Sequence, residues 1–271
     1  INGLLRSRAF AQDDGHCFCR FDQIEGEFNR VLKAVDVALK TYGFDYWIRL
    51  SLRDPARPEK YLGDDSIWNS AESPLRKIVD DAHLPSKEGL GEAAIYGPKL
   101  DFMIKDSLGR EWQISTVQLD MNMPGRFDLT YVDEHGQHQT PAMIHRAIIG
   151  SERFIAILIE HYAGAFPVWL SPVQAVILPI SDKHLDYAKK IESELKSNNI
   201  RVELNAKNEP LNARIRDTQL QKVPYMLIVG DREVASNTVS ERRRSGKDYG
   251  QQPLEKFIKD LRHEIDNRLN V

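Results

Sequence analysis

Only two cysteines occur in the 271 residues, Cys17 and Cys19, one residue apart. Side chains that close along the chain cannot tie distant segments together, so a disulfide framework is excluded and a reducing compartment is expected. No apolar run approaches the roughly 18 residues that a membrane span requires. The opening residues, Ile1-Asn2-Gly3-Leu4-Leu5-Arg6, lack the charged-then-apolar layout of a secretory signal. An excess of one charge is missing too, because 37 Lys and Arg stand against 40 Asp and Glu. No Gly-x-Gly-x-x-Gly, P-loop or Gly-x-Ser-x-Gly motif occurs, so the dinucleotide, Walker-type and hydrolase readings lose support. What remains is a globular composition, 41% hydrophobic and 28% charged, which argues against a disordered or collagen-like chain. The length suits one large domain or two modest ones.

The near-zero net charge is an average. Two prolines in Ala165-Phe166-Pro167-Val168-Trp169-Leu170-Ser171-Pro172 separate two periodic blocks and mark a linker. Residues 1–171 hold 19 basic and 25 acidic side chains, whereas residues 172–271 hold 18 and 15. The basic excess gathers at Arg242-Arg243-Arg244 with Lys247, either a solvated face or a nucleic-acid patch.

In the first block Arg6, Arg8, Phe10, Gln12, Asp14 and His16 share one parity, so a strand over 4–18 would project them from one face. Such a face suits a solvated sheet or the floor of a site. Asp22-Gln23-Ile24-Glu25 resembles a capping box, and Ile24, Phe28, Val31, Leu32, Val35 and Leu39 then follow helical spacing up to Gly43. Phe44, Tyr46, Ile48, Leu50 and Leu52 alternate as in a half-buried strand. Further strands fit Leu100–Ile104 and Trp112–Leu119, joined by a turn around Ser107–Gly109. A helix is expected from about Pro141 to His161 on the spacing of Ile144, Ile148, Ile155 and Ile159. Strands with hairpin-like joints argue for an antiparallel sheet.

The second block alternates differently. Strands are expected at Val173–Leu178, Ile200–Leu204, Tyr225–Val229 and Thr238–Ser240. Helices fit after a cap at Ser181 or Asp182, near Leu211–Gln221, and from Pro253 to Arg268. That alternation predicts a mostly parallel three-layer domain, with binding residues on loops at the strand ends.

The polar face of residues 6–16 and two histidines, His16 and His145, are the candidates for chemistry. On a strand Cys17 and Cys19 point away from His16, so the three are not expected to share an ion. Arg6-Ser7-Arg8-Ala9-Phe10-Ala11-Gln12-Asp13-Asp14-Gly15-His16 resembles the end of the second class II motif of the threonyl-tRNA synthetases. Tyr96-Gly97-Pro98-Lys99, Thr116-Val117-Gln118-Leu119-Asp120 and Met143-Ile144-His145-Arg146-Ala147 are similar to the same family. So are Val223-Pro224-Tyr225-Met226-Leu227 and Gly230-Asp231-Arg232-Glu233, and the likeness runs the whole length in order.

The resemblance implies an α+β fold: a class II antiparallel-sheet catalytic domain over 1–166, a linker over 167–172, and an α/β three-layer anticodon-binding domain over 173–271. It implies ATP-dependent activation of threonine, then transfer of the acyl group to tRNA(Thr), in the cytoplasm or an organellar matrix, by a homodimer with no membrane attachment. The first step concentrates negative charge, which arginine forks suit. By resemblance Arg6, Lys99 and Arg153 are catalytic. Arg6, Phe10, Gln118 and Arg153 would bind ATP, which enters with Mg2+, and Phe10 would stack under adenine. Gln12, Asp14, Tyr96, Gln118 and Ser151 would line the amino-acid pocket. Valine is nearly isosteric with threonine and an apolar pocket rejects it poorly. The family answers with Zn2+ held by a cysteine and two histidines, here matched by His16 and His145, while Asp14 accepts the hydroxyl proton. Asn208, Arg216, Glu233 and Arg242 match the anticodon contacts, where side chains read exposed base edges.

Several parts of the pattern are wanting. The first class II motif, an arginine and a glutamate expected upstream of Leu4, and the zinc-ligand cysteine are absent, and the chain starts without methionine. A fragment of a longer enzyme is therefore expected. The family also has one more residue between Ser151 and Glu152, and on a helix that deletion would rotate every downstream residue by about 100 degrees. Two other readings stand beside this one: another class II synthetase of prolyl or glycyl type, and a non-catalytic synthetase-like RNA-binding protein.

Overall fold

A computed structural model describes residues 1–270. The chain forms two compact units that meet between His161 and Tyr162.

The first unit opens with irregular chain and then β1 (Gln12–Cys19). The strand expected from residue 4 therefore begins only at Gln12, and Arg6, Arg8 and Phe10 lie in a looser segment ahead of it. A 3-10 turn, Phe21–Gln23, leads into α1 (Ile24–Thr41), and its cap differs from the Asp22-to-Glu25 box expected. Gln23 Oε1 accepts the Arg20 N–H at 3.0 Å, and Asp22 pairs with Arg20. Ile24, Phe28, Leu32, Val35 and Leu39 form the buried stripe of α1, and Gly43, at φ 78°, turns the chain out of the helix.

β2 (Tyr46–Leu52) follows, then α2 (Asp65–Ala82), β3 (Ser86–Leu90), β4 (Lys99–Lys105), β5 (Glu111–Asp120) and the single turn α3 (Met123–Arg126). A small hairpin, β6 (Tyr131–Val132) with β7 (His138–Gln139), precedes β8 (Ala142–Gly150) and α4 (Ser151–His161). Residues 142–150 are thus a strand, not the first half of one long helix. Isoleucines four apart share a face in a strand as well as in a helix, and pairing with β1 and β5 decides between the two. Ser151, after which the resemblance expects one more residue, is thus the first residue of α4 rather than a mid-helix position.

The sheet runs β1-β8-β5-β4-β2-β3, antiparallel except where β3 joins β2. α1 packs on β8 and β5, and α2 on β2. Val117, Leu119, Ile144, Leu100, Phe102 and Leu50 are buried, and strand alternation leaves the other face of the sheet for polar side chains.

The second unit carries β9 (Ala175–Pro179), α5 (Leu185–Ser197), β10 (Val202–Leu204), α6 (Leu211–Leu220), β11 (Tyr225–Val229) and α7 (Asp231–Ser236). It ends with β12 (Thr238–Arg243), β13 (Asp248–Pro253) and α8 (Leu254–Asp266). Its sheet order is β10-β9-β11-β12-β13, with the first three strands parallel and the last two antiparallel. One cluster packs Ala175, Ile177 and Leu227 with α5 and α8 residues such as Ile191 and Phe257. The other packs Val176, Leu178 and Met226 with Ile215 of α6, giving three layers. Val168, within the segment 167–172, is buried in the first of these clusters.

Candidate functional site

Register places one continuous polar row across five strands. His16 pairs with His145, His145 with Gln118, Gln118 with Lys99, and Lys99 with Ser51. Two residues along, the next row reads Asp14, Ala147, Thr116, Asp101 and Arg49. Directly opposed side chains project from the same face, so both rows line the face away from the buried isoleucines and leucines. The His16 and His145 rings stack with centroids 4.5 Å apart and planes 9° from parallel. His145 Nε2 lies 2.7 Å from Asp14 Oδ1.

Tyr96 reaches this face on a loop that is tied to the end of β5 and leads into Lys99, the first residue of β4. The Asn122 Nδ2 group donates to the Tyr96 carbonyl at 2.9 Å, and the Leu119 N–H to the Pro98 carbonyl at 3.0 Å. Gly97 is obligatory there, because a Cβ would sit 1.8 Å from the Leu119 carbonyl oxygen. Burial pushes the Tyr96 hydroxyl pKa up, and the Asp120 carboxylate adds to the effect. Asp120 itself is fully buried. Burial raises its pKa, against hydrogen bonds from the Met123 and Asn122 N–H groups, while its Oδ2 has no partner among the described residues.

Beside the histidines the sheet borders a cleft of about 390 Å³. Arg6, Phe10, Gln12 and Arg153 line it, joined by Gln113, Thr116 and Glu152, which sequence reasoning did not single out. Phe10 is 62% exposed and presents its ring rather than packing in the core. The Arg153 guanidinium donates to the Leu5 carbonyl at 3.0 Å and to the Gln113 carbonyl at 2.9 Å, so it also fastens the opening segment to β5. Ser151 Oγ donates to Glu152 Oε2 at 2.7 Å, and the Ala11 N–H to the same oxygen at 3.1 Å. Ser151 therefore sits at the strand–helix junction, engaged with Glu152 and Ala11. Arg6, Phe10, Gln12 and Arg153 thus converge on one cleft, while Asp14, His16, His145, Gln118, Tyr96 and Lys99 gather along the adjoining rows.

Zinc chemistry asks for three protein donors and an open position in such a site. His16 and His145 supply two imidazoles of the right kind on adjacent strands. Among the described residues no group of three His, Cys, Asp or Glu could hold a metal ion. Cys17 turns the other way, its Sγ 3.9 Å from Glu27 Oε2 of α1, and burial raises its thiol pKa. Burial likewise pushes the Cys19 thiol up to about 11.

In the second unit Arg242 pairs in register with Met226, which places it on the α6 face of that sheet. Arg216 on α6 and Asn208 in the loop before it are exposed. Glu233 is buried, and its two oxygens accept the Gly230 N–H and the Ser240 hydroxyl, both at 2.8 Å. Its carboxylate organises the start of α7 rather than facing solvent. Arg214 had no signal beyond its charge, yet it is 4% exposed and donates to the carbonyls of Asn205, Glu209 and Pro179. It thereby fixes the loop that carries Asn208.

An open antiparallel sheet backed by helices, with one polar face, followed by a separate three-layer unit, defines a class, and the comparisons agree. Residues 1–162 match the tRNA synthetase class II core domain (G, H, P, S and T), and residues 174–264 match the anticodon binding domain. The chain belongs to the class II core family of tRNA synthetases. Within it, the relatives are threonine–tRNA ligases. That of Sulfurihydrogenibium sp. (strain YO3AOP1) is 48% identical over 99% of this chain and 41% of its own length. That of Clostridioides difficile (strain 630) is 49% identical over 100% of this chain and 42% of its own. A crystal structure of the RNA binding domain of threonyl-tRNA synthetase from Cryptosporidium parvum Iowa II superposes with a TM-score of 0.88 at 37% identity. That match covers 97% of this chain and 66% of the other. The chain therefore spans about two fifths of the length of the curated relatives it matches.

Proposed function

We propose that the protein carrying this chain is a threonine–tRNA ligase, with the catalytic domain ending near residue 166 and the anticodon-binding domain starting near 173. One observation carries the threonine reading: the stacked His16–His145 pair with Asp14 at hydrogen-bond distance, in the row that also holds Gln118 and Lys99. A site built to bond a hydroxyl rejects the isostere lacking it far better than an apolar pocket does.

The threonine carboxylate attacks the α-phosphate of Mg2+-bound ATP and pyrophosphate departs, then a ribose hydroxyl of the tRNA 3′ end takes the acyl group from the adenylate and AMP leaves. Arg6 and Arg153 at the cleft stabilise phosphate charge, and Phe10 offers an exposed ring for the adenine. Gln12, Tyr96, Gln118 and Ser151 position the amino acid, Asp14 accepts its hydroxyl proton, and Lys99 opposes developing negative charge. His16 and His145 would hold zinc together with a third ligand from outside these 271 residues. When bound, the ion supplies a Lewis acid for the amino and hydroxyl groups of threonine. Asn208, Arg216 and Arg242 contact the anticodon, with Glu233 ordering the loop beside them. No helix among the described residues is long and apolar enough to cross a membrane. The proposed setting is the cytoplasm or an organellar matrix, as a homodimer.

ATP–pyrophosphate exchange by the full-length protein tests the reading. Exchange that depends on threonine and ignores proline and glycine is expected. Exchange driven by proline or glycine, or none with any amino acid, overturns it.

A further inference from the structure

The hydrogen bonding of the polar face converges on a residue with no assigned part, Asp101 of β4. Its side chain is wholly buried, and four donors from three strands meet on it. Oδ2 accepts from Lys99 Nζ at 2.5 Å, Ser51 Oγ at 2.8 Å and Arg49 Nη2 at 3.0 Å, and Oδ1 accepts from Thr116 Oγ1 at 2.9 Å. Lys99 belongs to the amino-acid row, whereas Thr116 lines the nucleotide cleft. One carboxylate therefore fastens both sides of the reaction centre to the same point of the sheet.

A fully desolvated carboxylate survives only when charge and hydrogen bonds compensate it, and removing it leaves buried cations uncompensated. Lys99 is 16% exposed and its flexible stem has many rotamers, so its position depends on this partner. The Arg49 guanidinium, also 3.6 Å from Glu92, braces the carboxylate from β2. A backbone of antiparallel strands holds the whole arrangement in register, which is the kind of support that keeps a reacting constellation within tolerance.

We infer that Asp101 is a positioning residue for amino-acid activation: it fixes the Lys99 ammonium and the Thr116 hydroxyl relative to each other, so that bound amino acid and nucleotide meet in line. The inference rests on the proposed ligase reading. Asp101 acts through Lys99 and Thr116 and touches neither substrate.

Pyrophosphate exchange by full-length protein, wild type and variants, tests it. Asp101→Asn is expected to lower kcat by about a hundredfold while KM for ATP moves less than about threefold, since misplacement acts on the chemical step. In a double-mutant cycle with Lys99→Met, adding Asp101→Asn is expected to cost little more, because the two act as a unit. Independent losses that multiply would mark a role in the fold alone and overturn the inference. Should Asp101→Asn fail to fold by circular dichroism, Asp101→Glu carries the test. It keeps the charge but displaces it by one methylene, and a kcat reduced at least about tenfold is expected. Wild-type kcat in that folded variant overturns the inference. A wild-type protein that exchanges normally beside an unimpaired Asp101→Asn overturns the inference alone. A wild-type protein without exchange overturns the ligase reading and this inference with it.

Discussion

Asp14 and His145 lie on neighbouring strands, 131 residues apart in sequence, with Asp14 Oδ1 2.7 Å from His145 Nε2. A carboxylate in that position can order an imidazole and accept a proton from a bound hydroxyl. Asp14→Asn keeps the size and removes the charge. The preference for threonine over valine in pyrophosphate exchange is expected to fall by about tenfold or more, because a polar group that no longer matches the hydroxyl stops penalising its absence. Selectivity equal to wild type would remove Asp14 from the hydroxyl contact.

His145→Ala deletes one of the two imidazoles of the stacked pair. Metal analysis of the purified full-length variant is expected to find zinc lost, together with threonine-dependent exchange, while tRNA affinity stays at the wild-type level. Zinc content equal to wild type would take His145 out of any metal site.

Arg216 and Arg242 stand on the α6 side of the second unit, in a different compact unit from the cleft that Arg6 and Arg153 line. Arg242→Ala and Arg216→Ala are expected to raise KM for tRNA in aminoacylation roughly tenfold each, the loss of one good base contact. Pyrophosphate exchange should not change. An equal loss in exchange would place these arginines outside anticodon recognition.

Asp106 closes the turn between β4 and β5. Burial opposes its ionisation, but donors from Trp112 Nε1, Arg110 Nε and the Arg110 and Leu108 N–H groups outweigh it and lower the pKa from 3.8 to about 2. A folded-state pKa below the unfolded one means the stabilisation is full above about pH 4 and is lost as pH falls toward 2. Denaturant unfolding of wild type should therefore weaken over that window more steeply than Asp106→Asn. Parallel pH curves would refute the assignment.

Much of this was legible in the residues. Alternation at Phe44–Leu52 and the short, mostly apolar run Leu100–Ile104 both gave strands, the second buried on both faces. The polar parity read over residues 6–16 holds as one strand face only from Gln12 onward, because the strand begins there. Three features could not be read that way. Ile144 and Ile148 share a face at either periodicity, so only pairing with β1 and β5 makes 142–150 a strand. α2 gave no expectation, since Pro74 stands inside it and proline argues against a helix interior. Its Asp64 cap and the run Trp68, Ala71, Leu75, Ile78 and Val79 were the available signals. Asp101, Thr116 and Arg49 come from three segments, and nothing short of the register reveals that they converge. Glu233 shows the reverse case: its type suits recognition, yet its geometry makes it a cap.

The contact between Gly97 and the Leu119 carbonyl has a bearing on how far Tyr96 can move. With no room even for a methyl group, and with Tyr96 and Pro98 each bonded through their carbonyls, this wall cannot swing out like a door. Under the proposed reading it holds Tyr96 at a fixed distance from the amino-acid row. A side chain at position 97 would have to part this segment from β5, and Tyr96 would leave its place beside Gln118 with it.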